Sequence, residues 1–347
     1  MKRHLLFLAA LLIVNLAASA QKKFSVYAVG FYNQENLFDT CHDEGKKDYE
    51  YLPNKGWNGM KYTNKLRNMS KALADMGTDV LPNVGCAFIG LSEVENHKVL
   101  DALVDQAPLK ARNMKYVHIE GPDRRGIDCA LLYNPSLFSV KNVKLLPYVQ
   151  ELAKDSAFFT RGFLTVRGEM AGDDVAVIVC HWPSRFSGPF YRESAARQVK
   201  VIKDSLLNVN PEMKIFVMGD MNDDPVNKSM HVYLQAKPEI SQVGAGDMYN
   251  PWYNVLAKEG KGTLFYSGNW NLFDQIVITP NLLNKDAKKK DYSSLKYWKS
   301  HIFRRDYLIQ QEGQYKGAPL RTTAGGRWLN GYSDHLPVVM YLVKEKK

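Results

Sequence analysis

The interpretation of this chain starts from the stretch Lys214-Ile215-Phe216-Val217-Met218-Gly219-Asp220-Met221-Asn222-Asp223. Its β-branched and aromatic residues predict a buried strand, which ends abruptly in Gly-Asp-X-Asn. The strand therefore presents a carboxylate and an amide at its carboxyl end. Taken alone, Asp and Asn beside Gly are also ordinary turn formers. The decision between the two interpretations depends on how the other strands of the chain end.

Five further strand-like segments carry polar side chains of the same kind at or near an end. Those side chains are Asn33, Glu93, His181, Asp274 and the pair Asp334-His335. Each has a plain interpretation as a turn residue, a cap or a satisfied core group. Together they supply the groups that metal-assisted attack of water on a phosphate ester requires. The sequence contains no HExxH motif, Cys-rich zinc pattern or Gly-rich P-loop that would indicate a different chemistry.

Each residue type suits a distinct part of that reaction. Glu93 is a carboxylate that can hold a hard cation such as Mg²⁺, which takes one or two protein carboxylates plus substrate phosphate. Asp220 can orient or deprotonate the attacking water, and Asn33 and Asn222 can make neutral contacts to the phosphate or to Asp220. His335, oriented by a carboxylate, can donate to a non-bridging oxygen as charge builds in the transition state.

The chain as a whole is long and apolar enough to bury a substantial core. It has 347 residues, of which 45% are hydrophobic and 24% charged. Residues 1–20 join a basic start, an apolar run and small residues, which predicts a signal peptide cleaved near Ala20 and a secreted or periplasmic protein. The apolar run is too short to span a bilayer comfortably, so we expect no stable membrane anchor, with an uncleaved anchor as the alternative. The four cysteines predict mostly free, buried thiols, with Cys41 the least certain.

The segment Leu283–Tyr332 differs from the rest in charge. It holds eleven Lys and Arg against four acids, nearly all of the +8 that remains of the net charge of +10 once residues 1–20 are removed. Tyr, Trp and Phe are interleaved with these cations. The mixture could grip a phosphate backbone and stack on bases, or be a solvated loop held down by its aromatic residues. As a long insertion between site-bearing strands, it is the candidate for a substrate-selecting lid.

The pattern of secondary structure indicates a mixed α/β fold. Apolar spacings of three and four predict helices at Lys61–Met76 and Tyr191–Leu207. Strands are predicted singly, in pairs with helices, and in a hairpin-like cluster from Ile127 to Cys180. This favours two mixed or antiparallel sheets packed together with helices outside. Without a clean linker, residues 21–347 are expected to form one domain.

At this point the chain resembles a known family. The motifs YNQEN at 32–36, LSE at 91–93, CHWPS at 180–184, GDMN at 219–222, DQI at 274–276 and SDHLPV at 333–338 occur in the order of the endonuclease/exonuclease/phosphatase superfamily. That superfamily contains deoxyribonuclease I, inositol polyphosphate 5-phosphatases and bacterial sphingomyelinases. The resemblance covers almost the whole chain after residue 20. It implies a four-layer α/β sandwich with the site at one edge of the two sheets.

The resemblance also implies a role for each matching residue. Glu93 would be the principal ligand of Mg²⁺, with Mn²⁺ or Ca²⁺ as alternatives, and Asn33 and Asp334 would lie near the metal. Asp220 and Asn222 would activate water and contact phosphate. His335 would be paired with Asp274, while His181 is similar to the deoxyribonuclease I and phosphatase branches.

Four further positions are expected to contact substrate or support the site. Arg161 resembles a phosphate-contacting arginine, with a surface salt bridge as the alternative. Asp128 would support the site or pair with Arg124 or Arg125. Asn36 and Arg321 complete the set of expected substrate contacts.

The leading hypothesis from the sequence is a secreted, monomeric, Mg²⁺-dependent endonuclease that hydrolyses nucleic-acid phosphodiesters. Because substrate choice resides in loops, a phosphatase or a phospholipase C-type esterase acting on inositol phosphates, sphingomyelin or another small phosphoester is the first alternative. The second alternative is a non-catalytic binding protein with the same fold.

Overall fold

The described part of the chain comprises residues 23–151, 158–286 and 288–346 of a computed structural model. The signal peptide predicted at residues 1–20 lies outside these residues, so its cleavage and the export of the protein stay predictions. Among the residues described, no helix has the length and apolar character needed to cross a membrane.

The strands of the described residues form two large sheets and two short hairpins. In chain order they are β1 (Phe24–Leu37), β2 (Phe88–Val94), β3 (Lys115–His118), β4 (Asp128–Tyr133), β5 (Phe138–Leu146), β6 (Phe163–Met170), β7 (Asp173–His181), β8 (Lys214–Asp220), β9 (Ala236–Lys237), β10 (Met248–Tyr249), β11 (Leu264–Tyr266), β12 (Asn269–Asn271), β13 (Asp274–Ile278), β14 (Lys296–Ile302), β15 (Thr323–Ala324), β16 (Arg327–Trp328) and β17 (Val338–Glu345). The first sheet has the order β14-β17-β1-β2-β4-β3 and the second has the order β5-β6-β7-β8-β13-β10-β9. Both sheets mix parallel and antiparallel neighbours, as the sequence predicted.

Along the chain, the α-helices alternate with groups of strands from the two large sheets. They are α1 (Gly59–Asp75), α2 (His97–Val104), α3 (Ala107–Ala111), α4 (Pro189–Val209) and α5 (Trp252–Ala257). The long helix α1 begins after Asn58, whose side chain accepts a hydrogen bond from the Lys61 N–H at 3.1 Å. Helix α4 begins with Pro189, whose fixed φ suits the first helical turn. The predicted helices at Lys61–Met76 and Tyr191–Leu207 are therefore present with slightly shifted ends.

Three groups of buried side chains hold four layers together. The inner faces of the two sheets share one apolar core, in which Phe88 of the first sheet meets Phe216 of the second with ring centroids 5.5 Å apart. Helices α1 to α3 cover the outer face of the first sheet, and α4 covers the outer face of the second. This arrangement confirms the predicted four-layer α/β sandwich.

Strand direction brings the polar strand ends to one edge. Strands β1 and β2 run parallel in the first sheet, and β7 and β8 run parallel in the second, so their carboxyl ends lie together at the edges of their sheets. Antiparallel β13 and β17 begin at this same edge, next to the ends of β8 and β1. The termini of six strands therefore supply one site.

Two expectations about the strands need correction. The cluster from Ile127 to Cys180 is not one hairpin unit, because β4 belongs to the first sheet while β5, β6 and β7 form an antiparallel ladder in the second. The predicted strand at Phe24–Tyr32 also continues to Leu37, with an irregularity in its pairing between Asn33 and Leu37. The extra residues are those that carry the first site motif.

The basic segment Leu283–Tyr332 is only partly a surface insertion. Strand β14 lies inside it and pairs antiparallel with β17, from Lys296 opposite Val343 to Ile302 opposite Val338. Residues 283–286 and 288–296 consequently lie at the amino end of β1, where the ring of Tyr292 packs against Phe24. This end of the sheet is opposite to the edge that carries the polar strand ends. The prediction that the whole segment is a lid over the site is therefore wrong for the part that precedes β14.

The cysteines follow the sequence-based prediction. All four are free thiols; Cys86, Cys129 and Cys180 are buried and Cys41 is exposed. The three buried thiols lie in the apolar clusters, where a free Cys behaves as a small hydrophobic residue.

Candidate active site

Register places three of the candidate residues side by side. Asp220 ends β8 and lies opposite His181, which ends the parallel strand β7, and opposite Asp274, which begins the antiparallel strand β13. From the other sheet, Asn33 donates from Nδ2 to Asp220 Oδ2 at 3.0 Å. The site therefore bridges the two sheets at their common edge.

His335 and Asp274 form a buried pair. The imidazole Nδ1 lies 2.7 Å from Asp274 Oδ2, and Nε2 lies 3.9 Å from Asp220 Oδ2. Burial by itself lowers the pKa of His335, but the charges of Asp274 and Asp220 outweigh it and hold the pKa well above its usual value. A cationic imidazole in this position keeps Nε2–H as a donor toward the site, because Nδ1 is engaged by Asp274.

Asp220 is the carboxylate on which the other groups converge. Its Oδ1 accepts the N–H of Asn222 at 2.9 Å, while its Oδ2 accepts Nδ2 of Asn33. Burial and the charge of Asp274 raise the pKa of Asp220, the charge of His335 opposes them, and the net result is a pKa of about 7. A carboxyl group with that pKa is suited to accept a proton near neutral pH.

His181 stands between two carboxylates. Its Nε2 lies 3.6 Å from Asp220 Oδ2 and 3.7 Å from Glu93 Oε1. Burial and the charges of Arg161 and Arg125 hold the pKa of His181 well below its usual value. The ring is therefore neutral at physiological pH and can present one N–H to the site.

Glu93 occupies an irregular position in β2. The pairing of β2 with β4 shifts between Ser92 and Val94, and Glu93 has a left-handed φ of 60°. Such bulges re-aim a side chain next to a functional site. Glu93 Oε2 accepts the N–H of Asn36 at 3.0 Å, and Asn36 itself has a φ of 56°. Left-handed backbone at non-glycine residues costs energy, so its repetition here is consistent with a functional role.

The donor set suits a hard divalent cation with few protein ligands. Across residues 23–151, 158–286 and 288–346, no group of three or more His, Cys, Asp or Glu side chains is arranged to hold a metal ion. Mg²⁺ is commonly held by one or two carboxylates, with waters and substrate phosphate completing its shell. Glu93 offers such a carboxylate with a partly exposed side chain, and the amide of Asn33 lies beside the same cluster. The residues present therefore fit Mg²⁺ as bound in a phosphate-handling site.

Asp334 and Arg321 form the outer rim of the site. Arg321 Nη2 lies 2.8 Å from Asp334 Oδ2, and its Nε lies 3.6 Å from Glu35 Oε1. The second oxygen of Asp334, Oδ1, is 3.9 Å from His335 Nε2. Asp334 is thus shared between an arginine and the histidine of the buried pair.

Arg161 and Asp128 lie beside the site and are engaged by the protein itself. Arg161 pairs with Asp123 at 2.9 Å and donates to the Trp182 carbonyl at 3.2 Å. Arg161 therefore does form the salt bridge that was the alternative to a phosphate contact, but the pair is largely buried and not at the surface. Asp128 contacts His118 Nε2 at 3.1 Å and accepts the Gly121 N–H, so the suggested pairing with Arg124 or Arg125 is also wrong. Its pKa is raised by burial.

Asn222 is held in place by its own side chain. Its Nδ2 donates to the Trp182 carbonyl at 2.9 Å, and its backbone has a left-handed φ of 49°. The backbone N–H of Asn222 is thereby fixed on Asp220 Oδ1, and its side-chain oxygen can only accept hydrogen bonds.

Two residues near the site were missed by sequence reasoning. Lys65 is fully buried on α1 and donates to Thr322 Oγ1 and the Tyr332 carbonyl. Its position four residues before the buried Met69 was an available signal. Arg185, just after the CHWPS motif, donates to the Asn222 carbonyl at 3.3 Å and pairs with Asp224 at 2.8 Å. Arg185 thereby stabilises the loop that follows β8.

Comparison with solved structures shows the same fold. A Bacteroides thetaiotaomicron endonuclease/exonuclease/phosphatase family protein is 14% identical, with a TM-score of 0.54, covering 94% of this chain and 97% of that one. TDP2 from D. rerio, complexed with single strand DNA product, is 12% identical, with a TM-score of 0.52, covering 92% and 99%. A mannosyl-6-phosphatase from Bacteroides thetaiotaomicron is 14% identical, with a TM-score of 0.53, covering 91% and 99%.

Sequence comparison adds the family. No curated protein matches the chain. A model of the Endonuclease/Exonuclease/phosphatase family matches residues 28–344, which include every strand and helix named above except the first four residues of β1 and the last residue of β17. This chain belongs to the endonuclease/exonuclease/phosphatase family.

Proposed function

We propose that this protein is a divalent-metal-dependent phosphoesterase that hydrolyses its substrate by direct attack of water. The observation that carries the proposal is the convergence of three side chains on one carboxylate oxygen. Within 3.0 to 3.9 Å of Asp220 Oδ2 lie Asn33 Nδ2, His181 Nε2 and His335 Nε2. The set combines a base, a neutral donor and a cationic donor in one buried place, which is what transfer of a phosphoryl group to water requires.

Asp220 is proposed to accept the proton of the attacking water. Its pKa of about 7 makes it a base of suitable strength near neutral pH. The hydrogen bonds from Asn33 and Asn222 fix both carboxylate oxygens, so that the orientation is set before substrate binds. As the water oxygen bonds to phosphorus, its proton passes to Asp220 and the ester oxygen leaves with the bonding electron pair.

His335 is proposed to stabilise the charge that builds on the phosphate. Its cationic ring, held by Asp274 at Nδ1, presents Nε2–H to a non-bridging oxygen. His181 supplies a second, neutral donor from the neighbouring strand end. The intact pair and the intact base favour catalysis over the non-catalytic binding protein.

Glu93 and Asn33 would hold the divalent cation, with Mg²⁺ proposed first and Mn²⁺ or Ca²⁺ as alternatives. When bound, such an ion polarises a phosphate oxygen and neutralises part of its negative charge. A metal contact by Asp334 stays a prediction: its Oδ2 is engaged by Arg321, as Asn33 Oδ1 is by the Glu35 N–H, and neither hydrogen bond excludes the ion.

The distribution of charge favours a small phosphoester over a long nucleic-acid strand. The nuclease hypothesis depended on the basic segment Leu283–Tyr332, but its first five lysines lie before or at the start of β14, at the end of the sheet remote from the site. Those lysines are Lys285, Lys288, Lys289, Lys290 and Lys296. Since relatives in fold include a TDP2 bound to a single strand DNA product and a mannosyl-6-phosphatase, the fold is compatible with both substrate classes. The endonuclease therefore remains the second candidate.

The test is a panel assay on the purified chain. We expect Mg²⁺-dependent hydrolysis of p-nitrophenyl esters of phosphate, and its loss with EDTA. Asp220→Asn and His335→Ala should each lower kcat by about 10² or more, while Asp204→Asn on α4, a half-buried carboxylate paired with Lys200 outside the site, should not. Plasmid DNA in the same panel tests the endonuclease. The proposal is overturned if no phosphate ester is hydrolysed with Mg²⁺, Mn²⁺ or Ca²⁺, or if Asp220→Asn keeps full activity.

A further inference from the structure

The short hairpin formed by β15 and β16 lies beside the candidate site and separates two grooves. Thr323 pairs with Trp328 and Ala324 with Arg327, and the two turn residues, Gly325 and Gly326, both have positive φ. A two-residue turn of this kind matches the twist of the strands that it joins. At its base, the Thr322 N–H donates to Glu35 Oε2 at 2.6 Å. The hairpin is therefore tied to the first site motif itself, which contains Glu35.

A first groove lies on one side of this hairpin. It encloses about 300 Å³ and is lined by Asn36, Tyr51, Trp57 and Trp328. Trp57 and Trp328 meet edge to face at 5.7 Å, and Lys61 lies over the Trp328 ring. Because the Asn36 N–H is hydrogen-bonded to Glu93, this groove opens directly onto the candidate metal ligand.

A second groove lies on the other side of the hairpin. It encloses about 430 Å³ and is lined by Tyr266, Tyr315, Arg321 and Asp334. Tyr266 is 70% exposed and Tyr315 is 51% exposed, so both rings are free to stack on a bound group. Asp334 Oδ1 lies 3.9 Å from His335 Nε2, which connects this groove to the catalytic cluster.

The number of grooves indicates whether the substrate is a phosphomonoester or a phosphodiester. A phosphomonoester carries one organic group on phosphorus, so one groove beside the phosphate is sufficient for it. A phosphodiester carries two, and they project from phosphorus in different directions. Here two separate grooves, each lined by aromatic rings and polar groups, begin at residues of the same site, and the hairpin keeps them apart. Aromatic side chains recognise planar or ring-shaped groups by stacking.

We propose, on the basis of the phosphoesterase function above, that the substrate is a phosphodiester with a ring-bearing group on each side, one in each groove. Water adds to phosphorus and the P–O bond to one group breaks. One proton of the water goes to Asp220, the other stays on the phosphate, and the leaving oxygen takes its proton from solvent. The second group remains in its groove as a phosphomonoester product. Trp328 and Tyr266 are the residues that select for the diester.

The experiment compares three esters with the same leaving group on the full chain with Mg²⁺. They are bis(p-nitrophenyl) phosphate, with two rings, methyl p-nitrophenyl phosphate, a diester with one ring, and p-nitrophenyl phosphate, the monoester. We expect kcat/KM to be highest for the first. Tyr266→Ala and Trp328→Ala should each lower kcat/KM for the two-ring diester at least about fivefold, as expected for loss of one stacking contact. The monoester has one ring, so at most one of the two variants should affect it.

Controls separate binding from folding. Phe24→Ala removes another exposed aromatic residue at the opposite end of β1 and should change none of the three rates. If Trp328→Ala disturbs the hairpin, Lys61→Ala tests the same groove from α1. A dinucleoside monophosphate and a phosphodiester joining two hexoses, assayed with the same variants, distinguish nucleoside from sugar groups, and hydrolysis of either supports the proposal.

Two results overturn the inference in different ways. A higher kcat/KM for the monoester than for either diester, or groove variants that behave like Phe24→Ala on the two-ring diester, contradicts the two-groove assignment and leaves the phosphoesterase function standing. Failure to hydrolyse any of the three esters with a divalent metal contradicts both.

Discussion

Neutralising Asp274 gives the sharpest test of the catalytic arrangement. Asn in place of Asp274 keeps the size of the side chain and can still accept a hydrogen bond from His335 Nδ1, but it removes the negative charge 2.7 Å from the ring. Two unit charges about 4 Å apart interact by about 4 kcal/mol at an effective dielectric constant of about 20. That energy corresponds to about 10³-fold in rate. Since part of it is recovered by the remaining hydrogen bond, we expect kcat/KM to fall between about 10²- and 10³-fold.

The assay is steady-state hydrolysis of a p-nitrophenyl phosphodiester at saturating Mg²⁺, with thermal unfolding to verify the fold. Asp79→Asn is a matched control, because it makes the same exchange in a His-Asp contact outside the site, where His301 Nε2 lies 3.3 Å from Asp79 Oδ2. We expect that control to stay within about twofold of wild type. An Asp274→Asn protein that melts like wild type and keeps kcat/KM within about threefold would refute the role given to the pair.

Three further outcomes are expected. Glu93→Gln should raise the Mg²⁺ concentration for half-maximal activity at least about tenfold, and an unchanged metal titration would remove Glu93 from the metal site. Hydrolysis of a small ester should change less than about threefold between about 50 and 200 mM salt, whereas a nuclease making six phosphate contacts would lose about 10³-fold in binding, so hydrolysis of plasmid DNA that falls this steeply would restore the nuclease hypothesis. Gly219→Ala should lower the free energy of unfolding, measured in urea, by about 1–3 kcal/mol, because the added Cβ would lie 2.2 Å from the Cys180 carbonyl oxygen. Gly59→Ala, whose Cβ would have no neighbour within 4 Å, should not lower it. Equal stability of the two variants would contradict the packing argument.

Local sequence patterns were sufficient for most elements and for the chemistry of the site. The helices were recognised from apolar spacing, as at Leu66, Met69 and Leu73, and the strands from short apolar runs bounded by turn residues. The polar strand ends Asn33, Glu93, His181, Asp220 and Asp274 do gather at one edge, as the motifs implied. These features depend on neighbours along the chain, so they can be predicted without a structure.

Other features depend on which strands pair and in what register. Strand β14 could not be recognised within a basic segment, because its identity as an edge strand is given by its partner β17. The same is true of the partner of Asp128, which is His118 across the β3-β4 pair rather than a nearby arginine. The burial of Lys65 beneath Thr322 likewise depends on a contact between residues 257 positions apart.

By itself, then, the sequence of this protein determined the mixed α/β class, the set of reactive side chains and the strand ends that carry them, because these follow from periodicity and residue chemistry. Only the tertiary structure decided where the positive charge lies relative to the site. The register of β14 against β17 places residues 283–286 and 288–296 at the remote end of the sheet, while Arg321 and the hairpin at Thr323–Trp328 lie beside His335. Charge acts through distance in space, and that distance is fixed by long-range strand pairing that no local pattern encodes.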